Sequence, residues 1–374
     1  MPRDYAFVCR ARLSDVHTVM LTAALVAALA TGSFADRLWR AMPTDRGNVV
    51  VSPTSLDAAL GLLAHGLGPS SKPALAATLG VAPSGLGKYD AGLQARLRAL
   101  VAGDEATVAS AAFLADAPAP AYRDAVAKAY EATVERLTGL KQVNGWANAR
   151  TKGRIPTLLD KLPGNVSMVL LNAVTFDGLW ATPFSPNNTR KEAFHAPEGD
   201  RTVDTMHLKG ARLAYAKGAG YQVVAMPYEG GRYRMLILLP DAGGDPASLL
   251  KEALQAPAKE ETVDLALPRF SVRSSPDVEG ALKAMGLAPL FKKVDFRPGV
   301  PNGSVAQLSA VVQKTMIEVG EKGTKAAAAT AIVGVRAIMR PVQAISFRVD
   351  RPFAFVLQHV GTGEPLFEGV IREP

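Results

Sequence analysis

The chain has 374 residues, of which 48% are hydrophobic and 20% charged, with a net charge of +8 and one cysteine, Cys9. That length supports a large core, and a lone thiol excludes an intrachain disulfide framework or a cysteine-based metal cluster. The cations are scattered without an aromatic–basic stripe, which argues against a nucleic-acid surface, and His17, His65, His195, His207 and His359 lack a ligand spacing such as HExxH, so no metal or other cofactor is expected.

Residues 1–17 are polar and carry Arg3, Arg10 and Arg12; residues 18–30 form an apolar run. The run is too short to span a membrane, and no membrane partner is expected. It reads in two ways. As the apolar region of a signal peptide, with Ala28-Leu29-Ala30 as an A-x-A cleavage site, it makes the protein extracellular. As the start of the first helix, running on into Phe34-Ala35-Asp36-Arg37-Leu38-Trp39, it makes the protein cytoplasmic. Residues 1–30 are therefore set apart as an extension, and 31–374, without internal repeat or linker, as one domain.

Residues 48–56 predict a strand, a cap and a helix start, since Pro53 suits a first helical turn and Ser52 can cap it. Ser52 beside a proline invites a nucleophile reading, but no elbow motif with a matching histidine and acid accompanies it. Helices are predicted over 57–65, 90–100 and 122–130, and a strand over 107–114. Arg96 and Arg98 read as a solvated helix face. Residues 167–176 are a near-continuous apolar strand, as expected where both faces are covered. Residues 221–228 and 233–240 form a hairpin around 229–232, 262–270 is another strand, and 278–285 is a short helix ended by Gly286.

Residues 314–319 begin like a strand, broken by Gly320-Glu321-Lys322-Gly323. Six small residues, Ala326-Ala327-Ala328-Ala329-Thr330-Ala331, follow. Propensity alone makes them a short helix, though one with no apolar stripe to bury. Written instead as a strand, Thr324, Ala326, Ala328 and Thr330 share one face and Lys325 takes the other. All four are small, as a buried face entering a closed sheet requires.

The run EKGTKAAAAT resembles the hinge of a serpin, an inhibitor of serine proteases. Four more motifs carry the resemblance: Ser52-Pro53-Thr54-Ser55 for the family's SPxS, Leu170 to Phe184 for LxNAxxFxGxWxxPF, Thr151 to Ile155 for TxGxI, and Leu267-Pro268-Arg269-Phe270 for LPKF. It extends from about Phe34 to Pro374 and implies an α+β serpin fold, with three β-sheets, about eight or nine helices and a reactive-centre loop over about 321–345. It assigns Glu321, Gly323, Thr324, Lys325, Ala326, Ala327, Ala328, Ala329 and Thr330 to the hinge, and Ser52, Ser55, Asn172, Gln313 and Trp180 to the shutter and breach of the main sheet.

The implied protein is no enzyme. The partner is a target serine protease, whose serine attacks the bait carbonyl, and the freed loop becomes a new central strand. Family spacing from Glu321 puts the scissile bond between Ala337 and Ile338, which suggests an elastase-like target; with Arg336 as the bait the target is trypsin-like. A monomer without glycosaminoglycan is expected, although Arg96 and Arg98 lie where some members bind one. The alternatives are a non-inhibitory carrier or chaperone, and an inhibitor of cysteine proteases. Two positions depart from the family: Lys325 replaces a usual acid, and Gln313 replaces a frequent histidine. High Ala, Gly, Pro and Arg content fits a GC-rich genome, such as a bacterial one.

Overall fold

The computed structural model describes residues 32–300, 307–324 and 343–374. Helix α1 (Phe34–Ala41) starts at a capping box: Asp36 N donates to Ser33 Oγ, and the Asp36 carboxylate accepts from Ser33 N. A capped start is incompatible with one helix running unbroken from residue 18 to Trp39, because the Ser33 backbone is extended. Residues 1–31 lie outside the described residues.

Strand β1 (Val49–Val51) leads into α2 (Pro53–Gly66), with proline in the first turn as predicted. Almost all of α2 is buried, including polar Ser55 and Asp57, so it is a core helix with no solvent face. Helices α3 (Lys72–Leu79) and α4 (Leu86–Leu100) precede β2 (Ala106–Leu114). Helix α5 (Pro120–Tyr130), β3 (Thr133–Arg136), α6 (Leu140–Arg150), β4 (Met168–Phe176) and the short β5 (Gly178–Leu179) follow. Every residue of β4 is buried, matching its near-continuous apolar sequence.

After β5 come β6 (Arg190–Ala196), the long β7 (Gly199–Gly218), β8 (Tyr221–Pro227), β9 (Tyr233–Pro240), α7 (Pro246–Gln255), β10 (Lys259–Pro268) and β11 (Phe270–Ser274). Helix α8 (Val278–Leu282) is shorter than predicted and passes into a π-turn over Lys283–Leu287, where Gly286 takes φ 120°. The last strands are β12 (Ala310–Gly320), β13 (Gly323–Thr324), β14 (Ile345–Arg348), β15 (Phe353–His359) and β16 (Pro365–Ile371).

The main sheet runs β3-β2-β4-β12, with β11 antiparallel on β12 and β13 bridging β12 to β5. The remaining strands form one hydrogen-bonded network, β1-β16-β15-β9-β8-β7-β10-β14, with β6 on β7. The second and third sheets of the fold are continuous here because β7 serves both: residues 199–205 pair with β6, 205–215 with β10 and 214–218 with β8. Helix α6 lies across the main sheet, burying Val143 and Ala147 with Phe113, Val169 and Leu171. Trp146 is a packing residue, edge-on to Phe113 with its indole donating to Thr133 Oγ1. On the opposite side, α2, Trp39, Leu282 and Phe296 belong to the largest core.

Candidate functional site: a strand seam and the hinge above it

Strands β4 and β12 run parallel from Ala310↔Val169 to Thr315↔Val174, and this seam is tied to the β1–α2 segment beneath it. The Gln313 amide makes a closed pair with the Ser52 backbone: its Oε1 accepts from Ser52 N at 2.8 Å, and its Nε2 donates to Ser52 O at 2.9 Å. Asn172, the register partner of Gln313, donates through Nδ2 to Ser55 O at 2.9 Å and to Ser110 Oγ of β2 at 2.8 Å. Thr315 Oγ1 donates to Val50 O, and Val50 N donates to Ser274 Oγ of β11. Four strands are thus bonded, directly or through Asn172, to one buried segment by uncharged groups. A buried bond of this kind contributes about 1 kcal/mol net, and orphaning one partner costs about 1–3 kcal/mol.

Ser52 and Ser55 lie at the seam, and their backbones do the bonding. Ser52 occupies the helix N-cap position without a side-chain cap bond, and neither hydroxyl has a hydrogen-bond partner among the described residues. The Gln313 amide saturates both backbone groups of Ser52, so the hydroxyl is not what anchors it. Asn172 and Gln313 belong to one cluster through α2, without a bond between their side chains.

Above Thr315 the seam parts. Gly323 and Thr324 pair with Gly320 and Val319 on one side and with Leu179 and Gly178 on the other. This two-residue strand wedges between β12 and β5. The fit requires glycine at 323, where φ is 154° and an added Cβ would meet Gly178 O at 2.0 Å. Trp180, which is buried, roofs the wedge: its ring stacks on Tyr228 at 4.3 Å and its Nε1 donates to Gly320 O at 3.0 Å. The Tyr228 hydroxyl meets Thr324 Oγ1 at 2.6 Å. Glu321 is clamped by Thr189 Oγ1 at 2.6 Å and by Arg269, whose Nε is 2.8 Å away. Burial pushes its carboxyl up, but hydrogen bonds from Arg269 and Thr189 outweigh this and hold it below the ordinary glutamate value.

On the outer face, Lys314 Nζ donates to Thr157 O at 2.8 Å, tying the segment that leaves α6 to β12. Within that exit, Thr151 Oγ1 donates to Ala147 O and accepts from Ile155 N. Arg96 is turned inward, 2.7 Å from Glu364 and 3.5 Å from Asp57, whose carboxyl burial pushes up to about 7. The resemblance located Ser52, Ser55, Asn172, Trp180, Gln313, Glu321, Gly323 and Thr324 at this site. It missed Ser110, Thr315, Ser274, Tyr228, Thr189 and Arg269. Lys325, Ala326, Ala327, Ala328, Ala329, Thr330, Arg336, Ala337 and Ile338 lie outside the described residues.

Residues 29–374 match the family described as Serpin (serine protease inhibitor). An uncharacterised serpin-like protein of Thermococcus kodakarensis is 35% identical over 241 residues, which are 63% of this chain and 56% of that protein. Serpin B6 of Macaca fascicularis is 32% identical over 380 residues, covering 93% of this chain and 100% of that one. The crystal structure of the thermophilic serpin tengpin in its native state superposes with a TM-score of 0.82 at 24% identity, covering 92% of this chain and 93% of that chain. A parallel seam pegged from below, a glycine-led wedge at its upper end and a match across nearly the whole length agree: the chain belongs to the serpin family.

Proposed function

We propose that this chain is a suicide-substrate inhibitor of serine proteases, whose cleaved loop enters the main sheet between β4 and β12. The observation that carries the reading is β13, two residues already paired as an antiparallel strand at the upper end of the seam. Continuing its register would pair Ala326 with Ile317 and Phe176, Ala328 with Thr315 and Val174, and Thr330 with Gln313 and Asn172. Ile317, Thr315 and Gln313 are buried, so the small residues of the hinge would take the inner face, where there is little room. Lys325 would fall between Glu318 and Asp177. Opposite charges across strands are favourable, which accounts for a lysine where the family usually has an acid.

The chemistry belongs to the protease. Its serine attacks the carbonyl of Ala337, the Ala337–Ile338 bond breaks, and the Ile338 amine leaves while Ala337 stays esterified to the enzyme. Insertion then carries the ester away before water completes hydrolysis. This chain supplies the bait, the small-residue strand and the seam; an elastase-like target follows from Ala337 and a trypsin-like one from Arg336. The inward-facing Arg96 supports action without a glycosaminoglycan.

A panel of serine and cysteine proteases, read by SDS-stable complexes and by mass spectrometry of the released C-terminal peptide, tests the proposal. Complex formation with an elastase-like enzyme and a peptide beginning at Ile338 is expected. Cleavage in the loop by every enzyme without any stable complex would sink the inhibitory reading in favour of a carrier or chaperone.

A further inference from the structure

After α6 the chain reverses through two left-handed residues, Lys152 at φ 50° and Gly153 at φ 82°. Gly153 N donates to Asn148 O at 2.8 Å and Arg154 N to Thr151 O at 3.1 Å, which closes the turn. Ile155, the next residue, is buried in the core between α6 and the main sheet. Arg154 is thereby held against the top of β4. Its side chain is only 16% exposed; Nη1 donates to Phe176 O at 3.2 Å, and Nη2 pairs with the Asp177 carboxylate.

That carbonyl is the next one a new strand needs. Asp177 N donates to Glu105 O, on the side of β2, and the neighbouring residue of a strand turns its backbone groups the opposite way. Phe176 therefore turns its N–H and C=O toward the seam. Trp180 N donates to Lys322 O, so these two form a hydrogen-bonded pair continuous with the β5–β13 ladder. Such pairs recur at every second residue of an antiparallel ladder. Gly178 and Thr324 form one, and the next would join Phe176 to Ala326, with Ala326 N donating to Phe176 O. The guanidinium already occupies that acceptor.

We propose that Arg154 is a positioning residue that delays strand entry, and that Lys325 takes its place. Insertion past Thr324 exchanges the Arg154 bond on Phe176 O for a backbone bond from Ala326. It also exchanges the Arg154–Asp177 ion pair for one with Lys325, which would stand directly opposite Asp177. The carboxylate that loses one cation gains another, so the inserted sheet keeps no unpaired charge there. The departing bond is charge-assisted and stronger than the neutral backbone bond that replaces it. Breaking it first is a barrier, and it lies at the one place where the sheet is already parted. The proposal rests on the inhibitory reading, because it takes the hinge as the strand that enters.

The first test needs no protease. A fluorescent synthetic peptide with the sequence of residues 325–334 is annealed to the full, uncut chain. Arg154→Ala should speed its uptake about tenfold or more, since a bond to a charged donor is lost. Arg154→Lys keeps a cation for Asp177 but not the fork, and should speed uptake less. Asp177→Asn frees the guanidinium from its anchor, should also speed uptake, and keeps the test open if Arg154→Ala does not fold. A peptide with alanine in place of its lysine should enter the parent a few-fold more slowly than the natural sequence, a preference that Asp177→Asn abolishes. Arg154→Ala should lower the melting temperature of the intact protein and leave that of the loop-cleaved protein unchanged. Parental uptake in all three variants, or equal loss of melting temperature in both forms, would overturn the proposal and leave Arg154 as a support of the turn. Faster uptake in the variants with no protease trapped by any chain would count against the inhibitory reading alone. Trapping by parent and Arg154→Ala at one rate would count against Arg154 alone.

Discussion

The middle and the upper end of the described seam are held by different chemistry. At its middle, Gln313, Asn172 and Thr315 tie the strands to a buried segment through amides, hydroxyls and backbone, and no charge takes part. At its upper end, Glu321 and Arg269 form an ion pair, and β13 already separates β12 from β5. The middle therefore resists opening in proportion to buried hydrogen bonds that must break together. The upper end, partly open and partly solvated, offers a place where a strand can start. A closed sheet with one prepared entrance gains a strand most readily from that entrance downward.

The largest expected effect comes from letting the upper end propagate. Cutting the loop should raise the melting temperature by about 10 °C or more, since a new central strand adds many cross-strand pairs. Equal melting of nicked and intact protein would mean that β13 leads nowhere. Next, Ala328→Pro removes a backbone donor from the middle of the incoming strand. Protease binding should survive while the trapped fraction falls about tenfold or more; undiminished SDS-stable complex would refute insertion. Asn172→Ala attacks the peg itself, deleting two buried bonds, and should cost about 2–4 kcal/mol in denaturant unfolding. A loss under half of that would show that the middle is held by packing instead.

Smaller effects sharpen the contrast. Lys325→Glu would set like charges beside Glu318 and Asp177, and should slow trapping a few-fold, an effect of about 1 kcal/mol. An unchanged rate would argue against the extended register. Glu321 titrates in the smallest test. Its folded pKa lies below the ordinary 4.5, so its contribution is fully present above the unfolded value and lost as pH falls through the folded one. Acid should therefore release the upper end below about pH 4.5, and Glu321→Gln should remove that step. Hydrogen exchange of Gly323 and Thr324 against Val312 and Gln313 would follow both regions at once; loss of protection in the middle first would reverse the assignment.

Much of this arrangement was legible in the chain. The strand at 168–176, the hairpin at 221–240 and the helix behind Pro53 announce themselves through apolar runs and turn residues. Sequence motifs also located Asn172, Trp180 and Gln313. Their partners were hidden because register, not local pattern, chooses them. Ser110 meets Asn172 only because β2 and β4 pair antiparallel at those positions, 62 residues apart. Arg269 reaches Glu321 across the β11–β12 pairing, a partner that the motif it stands in does not reveal. The role of Ser52 was visible while its means was not, since a hydroxyl beside a helix start reads as a cap and the orientation of a distant amide cannot be seen.

That amide has a consequence for how this protein can change over generations. Gln313 grips only main-chain atoms of Ser52, atoms that almost every amino acid carries. Substitution at 52 can disturb the fit of a side chain but cannot edit the grip. Heritable tuning of this catch is therefore one-sided: it is written at position 313, and its counterpart has nothing to answer with.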